Sequence, residues 1–295
     1  MGLDPGASRH QTLEALHRWQ QEGEQAALVV ITAIEGRTSR EVGTIMAVSA
    51  DGKVSGSISG GCFDAAVVTE AQSVLATGTT RRLKLGAGSP WIDIKLPCGG
   101  GIELLIIPDP SYIAEACKAI AHRAAYDFVL DKGDGGTFTL AIAPRLRLIV
   151  AGNGGEVPAL VALASAIDIE IVAVLSERAL LDRLGPGIKG LHLFLPEALD
   201  NLAFDPWTAV ALFFHDHDWE PPLLHRALAS NAFFVGAMGS IVTHAARRNA
   251  LLARGLSEAD IARIASPIGL FGPMRDPQAL AVSALAQVIA AWRAL

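Results

Sequence analysis

The sequence predicts an α/β protein made of two parts that meet at Pro144. Three observations support this prediction. Strand and helix patterns mix with glycine-rich hairpin turns before Pro144, and apolar strands alternate regularly with helices after it. The 295 residues are 51% hydrophobic and 18% charged, which is ample material for packed cores. We therefore expect a mixed α+β domain with hairpins over 1–143 and an α/β domain over 144–295.

Helical spacing and β-branched runs predict the elements of the first part. Asp51-Gly52 lies between two strand-like runs and is typical of a hairpin turn, and the glycine-rich stretch 132–136 predicts a second hairpin. In chain order, we expect a helix over 12–21, strands over 27–34, 44–49 and 53–59, a helix over 62–75, strands over 81–85, 91–96 and 101–107, a helix over 112–126, and strands over 128–131 and 137–143.

Apolar strands that alternate with helices predict the elements of the second part. All-apolar strands are typical of a parallel sheet that helices cover on both faces. Asp276-Pro277 marks the last helix, because an N-cap aspartate precedes proline at the first helical position. We expect strands over 146–151, 169–175, 210–214 and 233–235, and helices over 156–166, 222–229, 243–253, 257–264 and from 277 onward.

The charge and the cysteine content exclude several classes of protein. The net charge of -6 argues against a general nucleic-acid binder, which needs clustered lysine and arginine. The first ten residues lack a signal-peptide pattern, and no apolar run reaches the length of a membrane span. Three cysteines are an odd, small number that fits a reducing compartment. We expect a cytoplasmic protein without a membrane span.

Two cysteines in glycine-rich turns are the strongest chemical signal. Cys62 ends the run Gly56–Cys62, and Cys98 lies in the run Leu96–Gly101. Because glycine has no side chain, neighbouring glycines leave the sulfur accessible and let backbone N–H groups face a ligand. The turns predict a thiol-lined site for an anion, a phosphate-bearing cofactor or a soft metal, although free cysteine is commonly a small buried hydrophobe. Cys117, on an apolar helical face, is predicted to belong to the core.

A glycine turn follows the first strand of the second part. Gly152 is placed for the tight turn, and Gly154 for the approach of a pyrophosphate to the next helix. This pattern predicts a Rossmann-like parallel-sheet domain. Two interpretations of the turn remain open, namely dinucleotide binding and close strand–helix packing alone. Val157 is bulky for the third small position, and Glu156 puts a negative charge beside a phosphate.

Polar residues follow two later strands, where ligands bind in such sheets. The run His215–Asp218 invites a zinc interpretation, but no third ligand stands at a familiar spacing, so a polar loop tip with one histidine facing a ligand is the alternative. Gly239 and Ser240 end the next strand. Ser240 and Arg247 are candidates to receive a phosphate, and their alternative role is to cap and solvate a helix.

Taken in order, these segments resemble the XdhC/CoxI family of accessory proteins for xanthine dehydrogenase and related molybdenum hydroxylases. The resemblance runs over nearly the whole chain, from about Ile31 to the last helix. The segments that carry it are Gly56–Cys62, Leu96–Gly100, Gly152-Asn153-Gly154, His215-Asp216, Phe234–Ser240 and Pro267–Leu270.

The resemblance implies a maturation factor and not an enzyme. Such a factor binds the molybdenum cofactor (molybdopterin), protects it while a cysteine desulfurase installs its terminal sulfur, and passes it to a xanthine dehydrogenase-type molybdenum hydroxylase; family members are commonly homodimers. Cys62 and Cys98 are the candidate molybdenum contacts. The expected cofactor-binding residues are Ser59, Gly60, Gly61, Cys62, Cys98, Gly99, Gly100, Gly152, Gly154, His215, Asp216, Gly239 and Ser240.

Two other functions remain as alternatives. The Gly152–Gly154 turn taken alone predicts an NAD(P)-dependent oxidoreductase. A scaffold that docks a partner enzyme without binding any cofactor is the third interpretation.

Overall fold

The computed structural model describes residues 3–61, 63–86, 100–185, 187–199, 201–272 and 274–295. Cys62, Cys98, Gly99 and the strand expected over 91–96 lie outside the described residues. The chain divides into two compact units, Met1–Pro144 and Arg145–Leu295. Within the described ranges, every helix is too short or too polar to span a membrane.

The first unit contains a six-stranded sheet and a separate two-stranded sheet. The six strands follow the order β1-β4-β3-β2-β6-β5, and β7 pairs with β8. Both predicted hairpins, β3–β4 and β7–β8, are confirmed as antiparallel pairs. The described elements are β1 (Leu3–Asp4), α1 (Arg9–Gln21), β2 (Ala26–Glu35), β3 (Ile45–Ser49), β4 (Val54–Gly56), α2 (Asp64–Thr77), β5 (Arg81–Gly86), β6 (Gly101–Pro108), α3 (Ile113–Ala121), β7 (Tyr126–Asp131) and β8 (Thr137–Ile142).

Strand β2 is apolar over Ala26–Ile31 because both faces of the sheet are covered. Successive side chains of a strand point to opposite faces. Ala27, Val29 and Ile31 pack in one core with residues of α2. Leu28 and Val30 pack in a second core with residues of α1 and α3.

The second unit has a six-stranded parallel sheet with the order β11-β10-β9-β12-β13-β14. A 3-10 helix, His217–Trp219, precedes α6. The elements are β9 (Arg147–Gly152), α4 (Glu156–Ser165), β10 (Glu170–Leu175), α5 (Arg178–Leu181), β11 (Lys189–His192), β12 (Thr208–Phe213), α6 (Glu220–Leu228), β13 (Phe234–Ala237), α7 (Ile241–Ala253), α8 (Glu258–Ile261), β14 (Ile264–Ala265) and α9 (Pro277–Trp292).

This strand order is that of a Rossmann fold, so the predicted fold class is confirmed. The first strand of the unit, β9, lies between the second strand and the fourth, and the direction of winding reverses between β9 and β12. One face of the sheet is covered by α4 and α9 and the other by α6 and α7, whose apolar residues complete two cores. The crevice at this reversal is where such folds bind ligands.

Two predicted helices end earlier in the structure, and β11 is among the elements that were not predicted. The helix expected over 257–264 ends at Ile261, and Ile264–Ala265 instead forms the edge strand β14. The helix expected over 112–126 ends at Ala121, because Arg123 adopts a left-handed conformation with φ 62°. Strand β11 was not predicted, since its four residues contain no apolar run and pair only along β10.

Cys117 belongs to the second core of the first unit, as predicted. Its Sγ donates a weak hydrogen bond to the Leu13 carbonyl oxygen at 3.7 Å. Burial, with a smaller contribution from the nearby Glu14 carboxylate, raises the pKa of this thiol to about 11.

We expect Cys117 to resist alkylation in the folded protein. At pH 8 the thiol stays protonated, and the thiolate is the nucleophile. With iodoacetamide, modification of Cys117, followed by peptide mass spectrometry, is expected to be at least about tenfold slower than in the urea-unfolded chain. Equal rates in the folded and unfolded chains would contradict the placement of this thiol in the core.

Candidate functional site

The loop that precedes Cys62 is held by one carboxylate. Asp64, the first residue of α2, accepts hydrogen bonds from Ser57 Oγ at 2.5 Å and from Ser59 N and Oγ at 2.9 and 2.7 Å. The two hydroxyls in turn accept from Gly60 N at 2.8 Å and from Phe63 N at 3.0 Å. The loop is therefore fixed on both sides of position 62.

The end of this loop is a left-handed glycine pair with a cation beside it. Gly60 has φ 72° and Gly61 has φ 109°, conformations that side chains disfavour. Arg40 Nη2 lies 3.7 Å from the position that a Cβ on Gly60 would take, and Arg40 Nε has no hydrogen-bond partner among the described residues. Arg40 was not among the predicted site residues, because only the fold brings it to a turn twenty positions away.

Gly100, two residues after Cys98, is packed against the same region of the chain. A Cβ on Gly100 would overlap the Arg37 carbonyl oxygen and would lie 2.9 Å from that of Glu35. The loop 35–40 therefore contacts both predicted turns, Gly60 through Arg40 and Gly100 through its backbone.

In the second unit, Gly152 brings the ends of β9 and β12 together. Its φ is 151°, and a Cβ there would overlap the Phe213 carbonyl oxygen. Any other residue would push the two strand ends apart. This contact sets the spacing between the glycine turn after β9 and the loop that starts at Phe214.

The carboxylate of Glu156 folds back over Gly154. A Cβ on Gly154 would overlap Glu156 Oε2 and would lie 2.9 Å from His215 Nε2. Glu156 is 8% exposed, and its Oε2 has no hydrogen-bond partner among the described residues. His215 Nε2 lies 3.9 Å from this oxygen, beyond hydrogen-bond range. The glycine turn thus carries the buried carboxylate of Glu156. From the sequence alone, this residue was expected only to repel a phosphate.

Glu156 and His215 line an open cleft of about 890 Å³ at the carboxyl ends of the strands. The predicted Gly239 and Ser240 line it too. The predicted Asp216 is not among the lining residues and instead accepts a hydrogen bond from Asp218 N at the start of the 3-10 helix. The remaining lining residues are Met238, Ile241, Val242, 267–272, Met274, Arg275 and Leu280.

A buried ion pair holds two loops of this cleft. Arg247 donates from Nε to Glu220 Oε2 at 2.7 Å and from Nη2 to Glu220 Oε1 at 3.1 Å, and both side chains are 1% exposed. The same guanidinium donates to the Met238 carbonyl oxygen at 2.7 Å and to Ser266 Oγ at 3.0 Å. The expectation that Arg247 receives a phosphate is therefore wrong, because its charge is already paired. Ser240 caps α7 by accepting from Thr243 N, and it also lines the cleft.

The two histidines of the run 215–218 contact different carboxylates. His215 lies nearest Glu156, whereas His217 Nδ1 lies 3.1 Å from Glu220 Oε1. Among the described residues, no group of three or more histidine, cysteine, aspartate or glutamate side chains comes together to hold a metal ion.

The end of the second strand of this sheet carries no acid of its own. Asn153 Nδ2 donates to Ser176 Oγ at 2.6 Å, and Ser176 N donates back to Asn153 Oδ1 at 3.2 Å. These bonds join the glycine turn to the tip of β10. Glu177, the next residue, is exposed.

Removing the carboxylate of the buried pair is expected to destabilise the second unit. Glu220→Ala leaves the Arg247 guanidinium buried without its counter-charge, which costs about 3 kcal/mol. Arg248→Ala is the matched control, since Arg248 pairs with Glu258 on the surface and its loss costs less than about 1 kcal/mol. Proteolysis in a urea series, with cleavage sites assigned to Arg145–Leu295, measures both. Equal losses would contradict the role of the pair.

Comparisons with known proteins agree with this architecture. Residues 148–288 match the XdhC Rossmann domain, and residues 19–86 match the XdhC and CoxI family. A relative from Escherichia coli (strain K12), the molybdenum cofactor insertion chaperone PaoD, is 31% identical over 291 residues, which cover 90% of this chain and 83% of PaoD.

A crystal structure described as a xanthine dehydrogenase from Bacillus halodurans has the same fold. It superposes with a TM-score of 0.78, is 21% identical in sequence and covers 96% of each chain. The predicted resemblance is confirmed by the sequence matches, and the chain belongs to the XdhC/CoxI family.

Proposed function

We propose that this chain is an accessory chaperone that binds the molybdenum cofactor and inserts it into a xanthine dehydrogenase-type molybdenum hydroxylase. It protects the cofactor while a cysteine desulfurase installs the terminal sulfur, and it acts as a homodimer. The observation that carries the proposal is the 31% identity, over 90% of the chain, to a relative named as a molybdenum cofactor insertion chaperone.

The chemistry of the cargo fits the loop before Cys62. The molybdenum cofactor is a pterin dithiolene with a phosphate and an oxo-metal head, so it needs donors for its anionic parts and soft groups near the metal. Gly60 and Gly61 leave the backbone bare, Arg40 supplies a cation beside them, and Asp64 fixes the loop. In this proposal Cys62 supplies the sulfur.

In the proposal, the turn that contains Cys98 also binds the cofactor. Gly100 packs against the loop that also contributes Arg40, and Cys98 and Gly99 immediately precede it in the sequence. A shared loop gives both turns a common support.

The cleft of the second unit is the other candidate contact with the cargo. Gly239, Ser240 and His215 line it, and large apolar side chains surround them. An open cleft lets a carrier release what it holds, which a chaperone requires.

Substitution of Cys62 tests the proposal directly. We expect Cys62→Ala, purified from cells with an intact cofactor pathway, to retain at least about fivefold less cofactor, because the metal loses a soft ligand. Elemental analysis of molybdenum and fluorescence of the oxidised pterin measure retention. Cys117→Ala is the matched control and should retain as much cofactor as the wild type, since Cys117 lies in a core.

Equal retention by Cys62→Ala and Cys117→Ala would remove Cys62 from the site. Wild-type protein without molybdenum or pterin would contradict the proposed cargo. If such protein still co-purified with a molybdenum hydroxylase, the scaffold interpretation would replace it.

An NAD(P)-dependent oxidoreductase remains the second candidate, because the sheet order and the Gly152 turn are those of dinucleotide-binding domains. Three features oppose it. The Glu156 carboxylate lies over Gly154 where a pyrophosphate would approach α4, the residue after β10 is Ser176, and Ser176 is already bonded to Asn153.

We therefore expect no binding of NAD or NADP. A pyrophosphate at this turn would face the Glu156 carboxylate at close range, and like charges repel. Titration calorimetry with each dinucleotide should show only heat of dilution. Saturable heat with a Kd below about 100 µM, roughly −5.5 kcal/mol, would restore the oxidoreductase candidate.

A further inference from the structure

Glu156 has a buried carboxylate oxygen to which none of the described residues donates a hydrogen bond. The residue is 8% exposed, and its Oε2 accepts no hydrogen bond from any described residue. Leaving a buried carboxylate oxygen unpaired is costly, and native structures pair the great majority of buried polar atoms. Because Glu156 lines the cleft, a ligand in the cleft can supply the missing donor.

The position of the Glu156 carboxylate indicates which kind of ligand group can bind beside it. Glu156 is the first residue of α4, a helix of 10 residues, and the N-terminus of a helix favours a negative charge. An anionic ligand group would be repelled there, whereas N–H donors would be attracted. The buried end of the cleft is therefore suited to a group that donates hydrogen bonds.

The remaining lining of the cleft is suited to a flat ring. Ile241, Leu270 and Phe271 are 84%, 59% and 50% exposed, and all three line it. Large apolar side chains at a concave site are typical of binding pockets for ring systems. Exposed Arg275 also lines the cleft, so a cation is available for an anionic end of the same ligand.

We infer that Glu156 accepts the amino-lactam edge of a pterin in this cleft. That edge presents a ring N–H and an exocyclic amino group side by side, which a carboxylate can accept with its two oxygens. The apolar side chains of Ile241, Leu270 and Phe271 cover the ring. The identity of the heterocycle rests on the proposed function, and the contact with Glu156 deepens it.

A pair of ligands that differ in one group tests this contact. In 6-hydroxymethyllumazine an oxygen replaces the exocyclic amino group of 6-hydroxymethylpterin, so a donor becomes an acceptor. We expect the wild-type protein, in fluorescence titrations, to bind the pterin at least about tenfold more tightly than the lumazine, because the carboxylate is left facing an acceptor.

Variants of the chain separate the contact from a general effect of charge. Glu156→Gln should weaken pterin binding about tenfold and abolish the preference, since an amide offers a donor to the lumazine. Gly154→Ala keeps the carboxylate but displaces it, because the new Cβ would overlap Oε2, and it should reduce the preference as well. Glu177→Gln removes an exposed charge that does not line the cleft, and should leave both affinities unchanged.

The outcomes distinguish this inference from the proposed function. No binding of either probe, equal affinities in the wild type, or a preference that survives in Glu156→Gln would overturn the inference. If the purified wild type still carried molybdenum and pterin, the chaperone proposal would stand without it. A pterin preference that depends on Glu156, in a protein that purifies without cofactor, would support the inference and contradict the chaperone proposal.

Discussion

The contact between β9 and β12 at Gly152 is the constraint on which the cleft of the second unit depends. No side chain fits there, because a Cβ would overlap the Phe213 carbonyl oxygen. The two strands therefore end side by side at the reversal of the sheet. Glu156 follows one strand end and His215 follows the other, so a single glycine brings an acid and an imidazole to one cleft.

Carboxylates then fix the loops around each candidate site. Glu220 neutralises Arg247, and the guanidinium also donates to the Met238 carbonyl oxygen and to Ser266 Oγ, which lie in two different loops. In the first unit, Asp64 likewise fixes a loop by accepting hydrogen bonds from backbone and hydroxyl donors. Burying charge is costly, but a fully bonded pair holds irregular backbone in one conformation. In each unit a carboxylate therefore supports the loops around the candidate site.

The sequence predicted the elements whose signal is local. Hairpins were marked by Asp51-Gly52 and 132–136, and the parallel sheet by apolar strands between helices. The elements that were not predicted correctly depend on strand pairing or on a backbone conformation that the local hydrophobic pattern does not show. Strands β11 and β14 exist because neighbouring strands offer bonding edges, and α3 stops where Arg123 turns left-handed. Neither cause is visible in periodicity.

Several predicted site residues line the cleft of the second unit, whereas their partners were not predicted. Positions at strand ends, such as His215 and Ser240, were found because parallel sheets bind ligands there. The partners were not predicted because they depend on burial. Arg247 is paired with Glu220, and Glu156 Oε2 is buried without a hydrogen-bond donor among the described residues. The Glu156 carboxylate, whose negative charge opposes dinucleotide binding, is also the acceptor that the donor edge of the proposed pterin requires. In the proposed pterin site, the negative charge at the glycine turn is the feature that differs from a dinucleotide-binding dehydrogenase with the same backbone.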